Sequence, residues 1–109
     1  MVMSRADVLR LLREFRDRLA SLYGSRLKRV YLYGSYARGD ADEDSDIDVA
    51  VVLAEPLNPY VESERTSELF GELSLREGCL LVPFFLTEEE YRARPFAVHR
   101  SIVEEGVAV

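Results

Sequence analysis

The fold is decided by residues 29–53, which read RVYLYGSYARGDADEDSDIDVAVVL. Residues 29–33 are mostly β-branched or aromatic, so they predict a β-strand that stops at Gly34-Ser35. After a polar segment, residues 47–53 predict a second and more apolar strand, which Pro56 and Pro59 end. The stretch therefore predicts two strands joined by a segment that is rich in carboxylates and glycine.

Helical patterns lie on both sides of this stretch. Residues 4–23 predict a helix that Ser4 caps and Gly24 ends, and residues 60–77 predict another that Gly78 ends. Apolar residues at helical spacing predict the buried faces: Val8, Leu12, Phe15, Leu19 and Leu22 in the first helix, and Val61, Leu69, Leu73 and Leu75 in the second.

The C-terminal part continues the alternation of helices and strands. Residues 79–86 predict a third strand, in which Pro83 favours an edge position or a bulge. Thr87 starts a short helix with capping-box spacing, and a last helix begins at Pro95 and ends at Gly106. The pattern predicts an α/β (α+β) fold in the order αβαβαβα, with one small mixed sheet and flanking helices, and residues 1–109 as a single domain.

Composition and charge narrow the classes of function. The 109 residues are 48% hydrophobic, and 20 acidic against 14 basic side chains give a net charge of −6. Residues 1–40 carry nine basic and four acidic side chains, whereas residues 41–109 carry five basic and sixteen acidic side chains. A net acidic chain is a poor binder of nucleic-acid backbone, so we expect no direct nucleic-acid binding. No apolar run is long enough to span a membrane, and a single cysteine fits a cytoplasmic protein.

The polar segment between the first two strands has three competing interpretations. The first interpretation, a calcium-binding EF-hand loop, is excluded because it requires glycine at position six. A loop that starts at Asp40 or at Asp42 has no glycine there. A solvated connecting loop explains the first acids of the segment. It does not explain Asp46 and Asp48, which border or interrupt an apolar strand.

Asp46 and Asp48 favour the third interpretation, a metal and phosphate site. Alternation along a strand places both carboxylates on one face, where they repel each other unless a cation lies between them. Such a pair suits Mg²⁺ shared with phosphate oxygens. Gly34 permits close approach to the backbone, and Ser35 and a helix that starts there offer donors to a phosphate. These parts suit phosphoryl or nucleotidyl transfer.

The same residues resemble a known signature. Gly34-Ser35, followed after ten residues by Asp46-x-Asp48, is similar to the signature of the DNA polymerase β-like nucleotidyltransferase superfamily. Arg38-Gly39 and the serine before Asp46 also fit the GSxARG…SDxD form of its minimal members. The resemblance covers essentially the whole chain, because minimal members consist of little besides the αβαβαβα core.

This resemblance implies an activity and a partner. Minimal nucleotidyltransferases are often encoded beside a small helical HEPN protein, as the antitoxin of a toxin–antitoxin pair, and can transfer AMP from ATP to a tyrosine of that partner. Carried over by position, Gly34 and Ser35 would hold the triphosphate, and Arg38 would steady the phosphates or the loop. Asp46 and Asp48 would be the catalytic carboxylates that bind Mg²⁺.

One departure from the pattern leaves alternatives open. Active members usually add a third carboxylate from the next core strand, and residues 79–86 contain no acid. We therefore expect an enzyme. Two alternatives remain open: a catalytically degenerate subunit that silences its partner by binding, and a nucleotide-sensing module. The nucleotide preference and the oligomeric state, including a homo-oligomer, are left open by the sequence.

Several other side chains are expected to be structural. Cys79 is predicted to be a buried thiol and His99 a helix-surface residue. Tyr31 and Tyr33 share one face of their strand and are expected to pack in the core, with base stacking as the alternative. The expected aromatic core residues of the C-terminal part are Phe84, Phe85 and Phe96.

Overall fold

In the described part of the chain, four strands form one mixed sheet, and their order from one edge to the other is Leu81–Thr87, Ile47–Leu53, Leu27–Tyr33 and Val107–Ala108. A computed structural model describes residues 2–55 and 58–109, so the predicted strand end at Pro56 lies outside the described residues. The elements in chain order are α1 (Arg5–Tyr23), a 3₁₀ turn (Gly24–Arg26), β1 (Leu27–Tyr33), α2 (Ser35–Arg38), β2 (Ile47–Leu53), α3 (Pro59–Glu77), β3 (Leu81–Thr87), α4 (Glu88–Ala93), α5 (Ala97–Glu105) and β4 (Val107–Ala108).

The strand directions confirm the predicted mixed sheet. β1 runs antiparallel to β2, β2 runs parallel to β3, and the short β4 pairs antiparallel with β1. The parallel pair is joined by α3, as a crossover connection requires. Pro83 lies on β3, which is an edge strand, so its missing N–H is tolerated there. Sequence patterns did not predict β4, because two residues carry no periodicity.

The alternation of β2 decides what each face of the sheet holds. Ile47, Val49, Val51 and Leu53 are fully buried against α1 and α3, in a cluster that includes Phe15 and Leu73. The intervening residues Ala50 and Val52 pack on the opposite face with Leu86 and with Ile102 of α5. Asp48 continues this second series, so it lies on the face covered by α4 and α5.

The predicted helix caps are present. Ser4 accepts a hydrogen bond from the Asp7 backbone N–H at 3.1 Å, and α1 begins at the next residue. Thr87 and Glu90 form the reciprocal capping box that starts α4, with bonds of 3.0 and 3.1 Å. None of the described helices is long and apolar enough to cross a membrane.

Four predicted core residues are exposed instead. Leu22 is 47% exposed, because Tyr23, which is 5% exposed, completes the buried stripe of α1. The Tyr23 hydroxyl also donates to the buried carboxylate of Glu62 at 2.6 Å, which fixes α1 against α3. The other three exposed side chains are Val61 (45%), Leu75 (87%) and Phe96 (69%).

The prediction for His99 is wrong, since this side chain is buried rather than on the helix surface. Its Nδ1 accepts a hydrogen bond from the backbone N–H of Phe96 at 3.2 Å, which caps the start of α5. The ring also meets Phe84 edge-on, with centroids 5.6 Å apart. Cys79 is half-buried and precedes β3, which begins two residues later than predicted. Tyr31 packs as expected, stacked on Tyr91 at 5.2 Å.

Candidate active site

The two ends of the predicted site meet because β1 and β2 are antiparallel. Tyr33, the last residue of β1, is paired with Asp48 near the start of β2. Gly34 follows Tyr33 directly, so the Gly34-Ser35 turn and the Asp46-x-Asp48 segment lie at the same end of the sheet. Register therefore brings together residues that the sequence separates by a loop.

Gly34 lies against the carboxylate of Asp48. Its backbone has φ of 76° and ψ of −154°, a conformation that is essentially restricted to glycine. A Cβ at this position would overlap Oδ2 of Asp48 and lie 3.2 Å from its Cγ. The glycine is therefore required twice, by its backbone conformation and by the carboxylate beside it.

A single helical turn follows the glycine, as the sequence predicts. The carbonyl oxygen of Gly34 accepts from the backbone N–H groups of Ala37 and Arg38, both at 3.0 Å. Tyr36 is buried and anchors the turn to the core, while Ser35 is half-buried at its first position. The first N–H groups of a helix have no partner inside it, so those of this turn can bind an anion beside Asp48.

Arg38 is held at the site by two carboxylates. Its Nε donates to Asp40 at 3.2 Å, and its Nη1 donates to Glu105 at 3.1 Å. Both carboxylates raise the pKa of the guanidinium, which stays charged. Sequence analysis missed Glu105, because it arrives from the end of α5, 67 positions along the chain, and no local pattern indicates it.

Asp48 is the half-buried member of the carboxylate pair, and Asp46 is exposed. Burial raises the pKa of Asp48, the negative charge of Asp46 raises it further, and the positive charge of Arg38 opposes both. Burial and the charge of Asp48 also raise the pKa of Tyr33 to about 12. The negative charge on Asp48 is thus under-compensated, which is the electrostatic setting that favours a bound cation.

Oxygen donors are available for Mg²⁺, but the strand next to β2 adds none. Val82 of β3 is the partner of Asp48 in the parallel ladder, and no acid lies on β3. Within the described residues, no group of three or more His, Cys, Asp or Glu side chains is arranged to hold a metal ion. The two carboxylates fit a metal that takes its remaining ligands from phosphates and water.

The loop before β2 is organised by its own side chains. The Asp42 carboxylate accepts from the Asp44 N–H at 2.9 Å and from the Ser45 hydroxyl at 3.2 Å. The Ser45 hydroxyl in turn accepts from the Asp42 N–H at 2.9 Å. These bonds close the loop one residue before Asp46, so Asp42 and Ser45 shape the approach to the carboxylate pair.

The glycine–serine turn after β1 and the Asp46–Asp48 pair at the start of β2 form the arrangement that the resemblance to nucleotidyltransferases predicts. The family model for the nucleotidyltransferase domain matches residues 12–108. The chain belongs to this nucleotidyltransferase family, as its signature predicts, and the expectation of an enzyme is confirmed at the level of the family.

Two relatives indicate the branch of the family. A protein of Methanocaldococcus jannaschii named as a protein adenylyltransferase is 34% identical over 96 residues, covering 87% of this chain and 90% of that protein. The protein adenylyltransferase MntA of Shewanella oneidensis is 38% identical over 48 residues, covering 44% of this chain and 34% of that protein.

Solved structures confirm the fold. A nucleotidyltransferase structure from Sulfolobus solfataricus aligns with a TM-score of 0.70 and 26% identity, covering 96% of this chain and 81% of that one. A toxin–antitoxin complex with AMP-PNP contains a chain that aligns with a TM-score of 0.59 and 23% identity, covering 97% and 72% of the two chains. The second likeness concerns the fold alone.

Proposed function

We propose that this protein is a Mg²⁺- and ATP-dependent protein adenylyltransferase, the antitoxin that transfers AMP to a tyrosine of a HEPN-type helical partner. The observation that carries the proposal is the Asp48 carboxylate, placed over the backbone of Gly34 beside Asp46 and Arg38. The relatives named as protein adenylyltransferases support transfer of AMP to a protein. A chain of a toxin–antitoxin complex shares the fold that the proposed role requires.

Each site residue has a role in this reaction. The backbone at Gly34 and the N–H and hydroxyl of Ser35 bind the triphosphate, and Arg38 contributes a positive charge to the phosphates. Asp46 and Asp48 would hold Mg²⁺, which neutralises phosphate charge when it is bound. The tyrosine oxygen forms a bond to the α-phosphorus while the bond to pyrophosphate breaks. Because β3 supplies no carboxylate, the phenolic proton leaves to water or to a group of the partner.

Transfer of label from ATP tests this proposal. The protein is incubated with Mg²⁺, ATP labelled at the α-phosphate, and the helical protein encoded beside it, and the labelled residue is identified by mass spectrometry. We expect a labelled tyrosine with wild-type protein and background labelling with Asp46→Asn/Asp48→Asn. Asp17→Asn, the same change at an exposed carboxylate of α1 that lies outside the site, is the matched control and should keep full activity. Equal labelling by the double variant would refute the catalytic role of the pair.

The apolar partner of Asp48 on β3 favours a second candidate, a degenerate subunit that silences its partner by binding alone. In that case Asp46→Asn/Asp48→Asn should bind and silence the partner as well as wild type does. A loss of silencing while binding is retained would exclude it. A nucleotide-sensing module should bind ATP in calorimetry without the partner, and absence of ATP binding would exclude that alternative.

A further inference from the structure

A cleft of about 460 Å³ opens beside Asp46, between the loop before β2 and the turn that joins α3 to β3. It does not include Arg38, which pairs with Glu105 at the end of α5. The residues that line it are Met3, Tyr36, Glu43, Asp44, Ser45, Asp46, Ser74, Leu75, Glu77, Gly78, Cys79 and Leu80.

The charge of this cleft has one sign. Four carboxylates line it, those of Glu43, Asp44, Asp46 and Glu77, and no lysine, arginine or histidine is among its lining residues. Glu77 accepts from Arg76 at 3.3 Å, but this guanidinium is bound more closely, at 2.7 and 2.8 Å, by Glu14 of α1. The cleft therefore favours a cationic occupant and disfavours a triphosphate.

Its wall also carries exposed leucines. Leu75 on the last turns of α3 is 87% exposed, and Leu80 just before β3 is 54% exposed. The two residues flank the turn at Gly78 and line the same cleft as Asp46. Exposed aliphatic side chains that border a polar cleft are typical of a surface that a partner covers.

We propose that this cleft binds the acceptor segment of the protein substrate, through an apolar side chain on Leu75 and Leu80 and through lysine or arginine residues that meet the carboxylates of Glu43, Asp44 and Glu77. The inference rests on the proposed function and specifies which side of the site the substrate enters. The triphosphate lies on the side of Gly34 and Arg38, and the acceptor approaches from the side of Asp46. The two substrates thus meet at the Asp46–Asp48 pair.

Variants of the two leucines test the docking surface. In Leu75→Ser/Leu80→Ser we expect the KM for the helical partner and its Kd to rise about tenfold or more, because two apolar contacts are lost. The Kd for MgATP, measured by calorimetry without the partner, should stay within about twofold of wild type. Tyr60→Ser is the matched control, since Tyr60 is 86% exposed at the other end of α3 and outside the cleft.

The carboxylates are tested by their dependence on salt. Partner binding by wild type should weaken as NaCl is raised, and Glu43→Gln/Glu77→Gln should reduce the slope of that dependence. An unchanged partner Kd in the leucine variant would overturn the proposal. A weakened MgATP affinity with an unchanged partner Kd would instead assign the cleft to the nucleotide base and also overturn it.

The binding measurements separate this proposal from the transfer reaction. If wild type binds the partner without labelling it, and the leucine variant binds more weakly, the docking surface is supported while the adenylyltransferase function fails. If wild type labels the partner and the leucine variant labels it with unchanged KM, the function stands and the docking surface is wrong. Absence of binding between wild type and the partner overturns the docking surface directly.

Discussion

Replacing Gly34 by alanine tests the geometry at the centre of the site. The added Cβ would overlap Oδ2 of Asp48, and the backbone would need to keep a positive φ of 76°. Gly39→Ala is the matched control. Gly39 has a φ of 87°, and a Cβ there meets no atom within 4 Å. The comparison separates backbone strain from the contact with Asp48.

The two variants should differ in the free energy of unfolding. A non-glycine residue in the conformation of Gly34 costs about 1–3 kcal/mol. Forcing a methyl group into an occupied site costs about 1–3 kcal/mol more. Gly34→Ala should therefore lose about 2–6 kcal/mol in total, whereas Gly39→Ala in the left-handed region should lose about 1–2 kcal/mol. In a domain of this size each kcal/mol lowers the melting temperature by about 4–8 °C.

Thermal unfolding and nucleotide binding measure the two consequences. If Asp48 stays in place, the strain appears as a lower melting temperature; if its carboxylate moves away, part of the stability returns and MgATP affinity is lost. The double variant Gly34→Ala/Asp48→Ala removes the overlapping atoms. We therefore expect the two changes to be non-additive by about 1 kcal/mol or more.

Equal losses in Gly34→Ala and Gly39→Ala would contradict this reasoning. Retained MgATP affinity in Gly34→Ala, together with additivity in the double variant, would show that the carboxylate does not lie against this glycine. In that case the site derived from the contact between Gly34 and Asp48 would be wrong. Far-UV circular dichroism of each variant establishes that the comparison is made between folded proteins.

Three further predictions concern single side chains. Burial and a neighbouring carboxylate raise the pKa of Asp48, so the folded state becomes less stable as the pH rises through that pKa. Asp48→Asn should therefore melt at a higher temperature than wild type at pH 7 without Mg²⁺. The melting temperature of wild type should rise on acidification, and that of Asp48→Asn should not show this rise. Arg38→Gln should weaken MgATP binding about 10- to 150-fold in calorimetry through loss of a charged donor, while Arg29→Gln at the other end of β1 should not. Tyr23→Phe should lower the free energy of unfolding in urea by about 1.5–3 kcal/mol, because it removes the 2.6 Å bond to Glu62, and an unchanged midpoint would contradict this.

Local patterns predicted the elements well where one rule decided the outcome. The Ser4 cap, the Thr87 capping box and the edge position of Pro83 each follow from backbone hydrogen bonding within a few residues. The turn at Gly34 was predicted for the same reason. What local patterns could not provide is strand register, and register is what places Asp48 beside Tyr33 and over the glycine.

Several of the errors depend on a contact between residues that are distant in sequence. Tyr23 replaces Leu22 in the core since its hydroxyl has the carboxylate of Glu62 to bond with, 39 positions away. Leu75 fits the apolar spacing of α3, yet it faces the cleft beside Asp46. Glu105 reaches Arg38 only after α5 has folded back over the sheet.

The uneven charge of the chain explains how an acidic protein can serve an anionic substrate. Arg38 belongs to the basic N-terminal part, and the acids from residue 42 onward belong to the acidic remainder. The antiparallel pair of strands brings both to one end of the sheet, where Arg38 pairs with Asp40 and Glu105 and its charge opposes that of Asp46 at Asp48. In the proposed reaction Arg38 would meet the triphosphate, and the acids of the cleft would meet a cationic acceptor. Because β3 carries no acid, Asp46 and Asp48 in the proposed reaction would hold the metal together with oxygens of the nucleotide and of water.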